Sequence, residues 1–152
     1  NYWGITPSME TSFAGFEKTA IKGTTAGLVI GDKAIEIRNT YPYFYDFGKA
    51  WMEMEGLPFV FAVWVSTKPI PDEFVNQFNA ALQKGLDLIP QLLYILPAPA
   101  ANFSLERYFT ENISYDLDQK KMKGLQRFLT YLGDTRDLKI HSGETVLSAS
   151  EG

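Results

Sequence analysis

The sequence contains no cysteine and a single histidine. Without cysteine the protein can form no disulfide, no thiolate nucleophile and no cysteine-based zinc site. His141 alone cannot build a multi-histidine metal site, and an isolated histidine in a polar tail is far more often a bystander than a general base. We therefore expect no metal, and no Ser-His-Asp type of catalytic centre.

Clusters of basic residues and long apolar runs are also missing. The 14 Lys and Arg are scattered, the formal net charge is -4 and the pI is about 5.0. This balance predicts no nucleic-acid partner, because a phosphate-binding face needs grouped cations. The apolar run 59–65 is too short to span a bilayer, and the apolar region 88–101 is interrupted by Gln91 and prolines, so we expect no membrane segment.

What is present is typical of a globular chain. Of the 152 residues, 45% are hydrophobic and 21% are charged, which suits one domain or two small lobes with a real core. The chain opens on NYWGITPSME without an initiator Met or a signal-like segment. We therefore expect either processing or a longer parent chain.

Apolar periodicity predicts a series of amphipathic helices. The helices are expected at about 7–18, at 33–38 after Asp32, from Asp46 to Gly56, from Pro71 onward, at 105–112 after Ser104, and from about Asp118 to Leu132.

Two short apolar runs predict strands. AGLVI at 26–30 and the run 59–65 after Gly56-Leu57-Pro58 contain no polar residue, as is typical of strands buried on both faces of a sheet. Strands alternating with helices predict an α/β fold with a parallel or mixed sheet. Ligands of such sheets bind beyond the carboxyl ends of the strands. We therefore expect a ligand to bind near Gly31-Asp32 and near the far end of the 59–65 run.

The candidate polar and aromatic residues each have a simpler interpretation. Asp32 could face a ligand, but capping of the following helix is the more frequent role of such a residue. The aromatic residues between 41 and 45 could wall a pocket, although core packing is commoner. Neither GTTAG nor GDTRDLKIHSG has the pattern of a phosphate-binding or dinucleotide-binding loop. The residues by themselves thus indicate a ligand-binding α/β lobe with no visible catalyst.

Three passages taken together go further. They are AGLVIGDKAI (26–35), YDFGKAWMEMEGLPFVFAVWV (45–65) and YFTENISYDLDQKKMKGLQRFL (108–129). In this order and spacing they resemble segments of the chorismate dehydratase family of futalosine-dependent menaquinone biosynthesis, over most of residues 24–132. The combination of IGD, YD-x-G-x-x-W and GLPFVFAVW carries the resemblance.

The resemblance implies a fold like that of the type 2 periplasmic binding proteins, with two α/β lobes and a central cleft. Residues 1–58 would belong to the later part of the second lobe and 59–132 to the return strand and helices of the first. Residues 133–152 would form a loosely ordered tail. The N-terminal part of the first lobe is expected to be absent from this sequence, which would leave an apolar edge open to a second copy or a partner fragment.

The implied activity is that of a cytoplasmic carbon-oxygen lyase (a hydro-lyase) without cofactor, provided that the missing N-terminal part is supplied. It would convert chorismate to 3-[(1-carboxyvinyl)oxy]benzoate by loss of water. The motif matches make Gly31, Asp32, Phe61 and Trp64 candidate substrate-binding residues, and they assign no catalytic residue. Two alternatives are a non-catalytic solute-binding protein of the same fold and the related dihydroxynaphthoate synthase of the same pathway.

Overall fold

The computed structural model describes residues 2–133 of the chain, and within this part the regular structure is helical. The helices are α1 (Phe16–Thr19), α2 (Asp32–Ile37), α3 (Phe47–Glu55), α4 (Asp72–Asp87), α5 (Ile89–Leu92), α6 (Leu105–Arg107), which continues into a π-helical turn (Tyr108–Asn112), and α7 (Gln119–Tyr131). The expected tail, apart from Gly133, lies outside the described residues, and so does His141.

Helices α3 and α7 lie where the sequence predicts them, and each begins at a side-chain cap. The Asp46 side chain accepts a hydrogen bond from the Lys49 N–H at 3.0 Å, and Gly56 ends α3 in the left-handed region at φ 65°. The Asp118 side chain accepts from the Lys121 N–H at 2.8 Å at the start of α7. Side-chain acceptors of this kind satisfy N–H groups that have no partner inside the helix.

The helix predicted over 7–18 is wrong in extent, because only Phe16–Thr19 is helical. Met9, on its expected apolar face, is 87% exposed, and Phe13 is exposed as well. A short amphipathic helix is stable in water only when its apolar face packs against something. Periodicity alone therefore overestimated this helix.

The capping role expected for Asp32 is wrong by one position. The residue before α2 is Gly31, at φ 69° and ψ −151°, and Asp32 is the first helical residue. Its carboxylate still lies at the positive end of the helix dipole, which favours a negative charge.

The two apolar runs predicted as strands carry no regular secondary structure in the described part of the chain. Residues 26–30 and 59–65 make no backbone-to-backbone hydrogen bond there. A strand needs a neighbour to pair its N–H and C=O groups, and no neighbouring strand is present among residues 2–133. The periplasmic-binding-protein-like fold therefore stays a prediction.

The packed centre of the described part is small and aromatic. Trp51 of α3 is 7% exposed, and its ring lies 5.7 Å from Phe59 and 5.7 Å from Phe128 of α7, both edge to face. Val75 of α4 is the other buried apolar side chain within residues 2–133. Thus α3 and α7 enclose the first half of the 57–65 segment, while its second half is exposed.

Candidate functional site

A broad concavity lies between the helices and the apolar runs 26–30 and 59–65. Its volume is about 3670 Å³, whereas small-molecule pockets usually measure about 300–1,000 Å³. It is lined by residues 26–31, by 58–70, by one side of α4 and by the beginning of α7, among others. A small ligand would fill only a part of this space.

Three of the four residues proposed from the sequence line this concavity. Gly31, Phe61 and Trp64 belong to its wall, whereas Asp32 is exposed and is not among the lining residues. The structure thus brings the end of the first apolar run and the middle of the second to one surface.

Phe61 and Trp64 are held from different sides. The Phe61 ring lies 4.9 Å from the Phe59 ring, and a Cβ on Gly48 would come 3.0 Å from its edge. The Trp64 ring stands edge to face at 5.3 Å from Phe78 of α4. They are nevertheless 81% and 78% exposed, so both rings offer a free face to a ligand or to further polypeptide.

The wall of the concavity also carries cationic side chains that the motif comparison did not single out. Arg38 lies at the end of α2, with its guanidinium 5.4 Å from the centre of the Phe44 ring. Lys49 makes a 3.9 Å ion pair with Glu53, and its side chain is 77% exposed. No sequence signal marks these residues, because single cations on helices are common on any surface.

The ammonium of Lys121, by contrast, already has hydrogen-bond and ion-pair partners. Its ammonium donates to Ser114 Oγ at 2.7 Å and to the Asp116 carbonyl, and it lies 3.5 Å from the Asp118 carboxylate. The Lys121 N–H and ammonium together hold the pKa of Asp118 below its usual range. This group fixes the start of α7 on the loop before it.

A second polar group ties α3 to α7 outside the concavity. Glu55 accepts hydrogen bonds from the Tyr131 hydroxyl at 2.5 Å and from Arg127 Nε at 2.8 Å. These two bonds lower the pKa of Glu55. The arrangement is a structural clamp, since both oxygens of the carboxylate are already used.

No group of three or more metal-ligating side chains occurs within residues 2–133. Over the same range, no helix is both long and apolar enough to cross a membrane.

One comparison with known proteins agrees with the motifs. A family model described as menaquinone biosynthesis matches residues 1–134, which is most of the chain. The protein therefore belongs to the menaquinone biosynthesis family, which confirms the resemblance to the chorismate dehydratase family. Membership implies an enzyme role in that pathway. Neither the curated proteins nor the solved structures yielded a match.

Proposed function

We propose that the protein is a chorismate dehydratase that forms 3-[(1-carboxyvinyl)oxy]benzoate in menaquinone biosynthesis. The observation that carries the proposal is the family match over residues 1–134, together with the ordered IGD, YD-x-G-x-x-W and GLPFVFAVW motifs. Under this proposal the protein acts in the cytoplasm, has the two-lobed periplasmic-binding-protein-like fold and binds its substrate in the cleft. The reaction would use no metal or organic cofactor.

The reaction makes modest chemical demands. A ring C–H proton and the ring hydroxyl leave together as one water, and the ring becomes aromatic, which drives the reaction forward. The enzyme has to hold a dianion in one orientation, accept the proton and assist the departing hydroxide. A cationic and aromatic wall serves the first of these requirements.

We assign that first requirement to the concavity. Phe61 and Trp64 offer flat apolar faces to the ring, and Gly31 lets the backbone approach the ligand closely. Arg38 and Lys49 supply positive charge on the same surface. An Arg guanidinium suits a carboxylate especially well, because its planar fork can donate two parallel hydrogen bonds.

The test is incubation of the full protein with chorismate, followed by mass spectrometry of the products. Formation of 3-[(1-carboxyvinyl)oxy]benzoate supports the proposal. Binding of chorismate without conversion would instead indicate the solute-binding alternative. If the protein neither binds nor converts chorismate but forms dihydroxynaphthoate from its precursor, the sister enzyme of the pathway is the correct assignment.

Arg38→Met provides the matched variant. It removes the charge but keeps a long side chain beside Phe44, so we expect weaker substrate binding and little loss of stability. Arg107→Met serves as the control, because Arg107 makes only an exposed 2.9 Å pair with Glu111 on its own helical segment and is not in the wall of the concavity.

A further inference from the structure

Glu17 is a buried charged residue to which the motifs assign no role. Its side chain is 4% exposed, and it is the only charged side chain buried within residues 2–133. A carboxylate taken out of water requires a charged or hydrogen-bonding partner. Here the partner is the ammonium of Lys33, which donates to Glu17 Oε1 at 2.8 Å.

The ion pair connects α1 to the turn that carries the IGD motif. Lys33 directly follows Asp32, so the bond holds the chain just after the Gly31-Asp32 turn. The neighbouring residue of α1, Phe16, holds the chain before it, since a Cβ on Gly27 would come 2.6 Å from the Phe16 ring. Two adjacent residues of α1 therefore contact both sides of one turn.

A third contact fixes the backbone of Glu17 itself. The Tyr41 hydroxyl donates to the Glu17 carbonyl oxygen, which ties α1 to the segment that follows α2. Glu17 thus contacts the first turn of α2 through its carboxylate and the chain after α2 through its carbonyl oxygen. A short helix such as α2 has six residues and cannot maintain its own position in water, so it depends on contacts of this kind.

The turn itself needs such support. Gly31 has φ 69° and ψ −151°, a conformation that side-chain-bearing residues rarely adopt, and its carbonyl accepts the Ala34 N–H at 3.0 Å. We propose that Glu17 is a positioning residue, which holds the Gly31-Asp32 turn through Lys33 in the geometry that the substrate meets. Its consequence for catalysis rests on the proposed function, whereas its effect on the turn does not.

The structural arm of the test is amide hydrogen exchange by NMR on the whole protein and two variants, Glu17→Gln and Lys33→Met. In both variants we expect the Ala34 amide, which bonds to Gly31, to exchange about tenfold faster or more, while the amides of α7 keep their rates. Lys84→Met is the control, because Lys84 is an exposed lysine of α4 outside the wall of the concavity, and its loss should leave Ala34 unchanged.

An unchanged Ala34 rate in Glu17→Gln and Lys33→Met would overturn the proposal. Equal acceleration in α7 would overturn it too, since that result reports general destabilisation. The functional arm measures chorismate kinetics, with KM expected to rise about tenfold and kcat to change less than twofold. If the wild type is active but KM does not move, Glu17 positions nothing that the substrate meets. If the wild type is inactive, the proposed function fails while hydrogen exchange still decides the role of Glu17 at the turn.

Discussion

Gly124 of α7 lies directly against the carbonyl oxygen of Pro58. A Cβ added at Gly124 would come 2.2 Å from that oxygen, far inside van der Waals contact. Helix α7 can approach the start of the 57–65 segment this closely only because position 124 has no side chain. This contact, together with the Trp51 ring, holds the segment on the helices.

Gly124→Ala should therefore destabilise the protein. In a helix interior the change ordinarily adds about 0.5–1 kcal/mol of stability, because glycine costs more backbone entropy. Here the new methyl meets backbone, which cannot move aside like a flexible side chain, and overpacking of this kind costs about 1–3 kcal/mol. We expect a lower urea midpoint with a net loss near 1 kcal/mol or more.

Gly85→Ala in α4 is the matched control. A Cβ at Gly85 would have no atom within 4 Å outside its own helix, so only the entropy term should act. We expect a gain of up to about 1 kcal/mol. Equal gains at both positions would show that α7 does not lie against Pro58.

Trp51→Ala should remove most of the aromatic centre. Truncating a buried Trp or Phe typically costs about 3–5 kcal/mol, which is a large part of the stability of a small domain. Trp51→Phe should cost much less, because it keeps edge-to-face packing and removes the buried Trp51 N–H, which has no hydrogen-bond partner in the described part of the chain. Thermal unfolding of the two variants checks this order, and a milder effect of the Ala variant would refute it.

The Glu55 clamp predicts loss of stability in acid. The bonds from Tyr131 and Arg127 put the pKa of Glu55 in the folded protein below its ordinary value of 4.5. Between the two pKa values the unfolded chain binds more protons, so the contribution is complete above pH 4.5 and is lost as the pH falls through the folded value. Urea unfolding from pH 7 to pH 3 should therefore show a smaller acid loss in Glu55→Gln than in the wild type. If the free energy of unfolding falls equally with pH in both proteins, the Glu55 clamp contributes nothing to stability.

The exposed apolar surface predicts association. Within the run 59–65 the side chains of Phe61, Trp64 and Val65 are 81%, 78% and 80% exposed. The backbone of 59–65 makes no backbone-to-backbone hydrogen bond within residues 2–133, so it is open to pairing with another strand, in a second copy or a partner fragment. Light scattering at micromolar concentration should show particles heavier than a monomer.

Two lysine substitutions test whether the 59–65 run mediates that association. Val65→Lys should reduce it by placing charge on the run, whereas Tyr94→Lys should not, because Tyr94 is 92% exposed and lies outside the wall of the concavity. A stable monomer in the wild type would contradict the expectation.

Local chemistry made the starts of three helices, α3, α6 and α7, predictable from sequence. Asp46 and Ser104 each cap the helix expected of them, because a cap depends on residues three positions apart, and Asp118, the expected start of the last helix, proves to be its cap. The strand predictions are of another kind, since pairing at 26–30 and 59–65 depends on chain that is distant in sequence. The same limit applies to the site: IGD and GLPFVFAVW are visible as motifs, but Glu17 and Arg38 acquire meaning only through their neighbours in space.

Calorimetric titration of chorismate into the wild type, Trp64→Ala and Tyr94→Ala tests most directly whether the concavity is the substrate site. Both rings are exposed, but Trp64 lines the concavity and Tyr94 does not. Tyr94→Ala therefore controls for the loss of an exposed aromatic ring in general. We predict that the wild type and Tyr94→Ala bind alike, and that Trp64→Ala binds at least about tenfold more weakly, as expected for losing about 1.4 kcal/mol of contact. Equal affinity in all three proteins, or no binding by the wild type, would contradict the account.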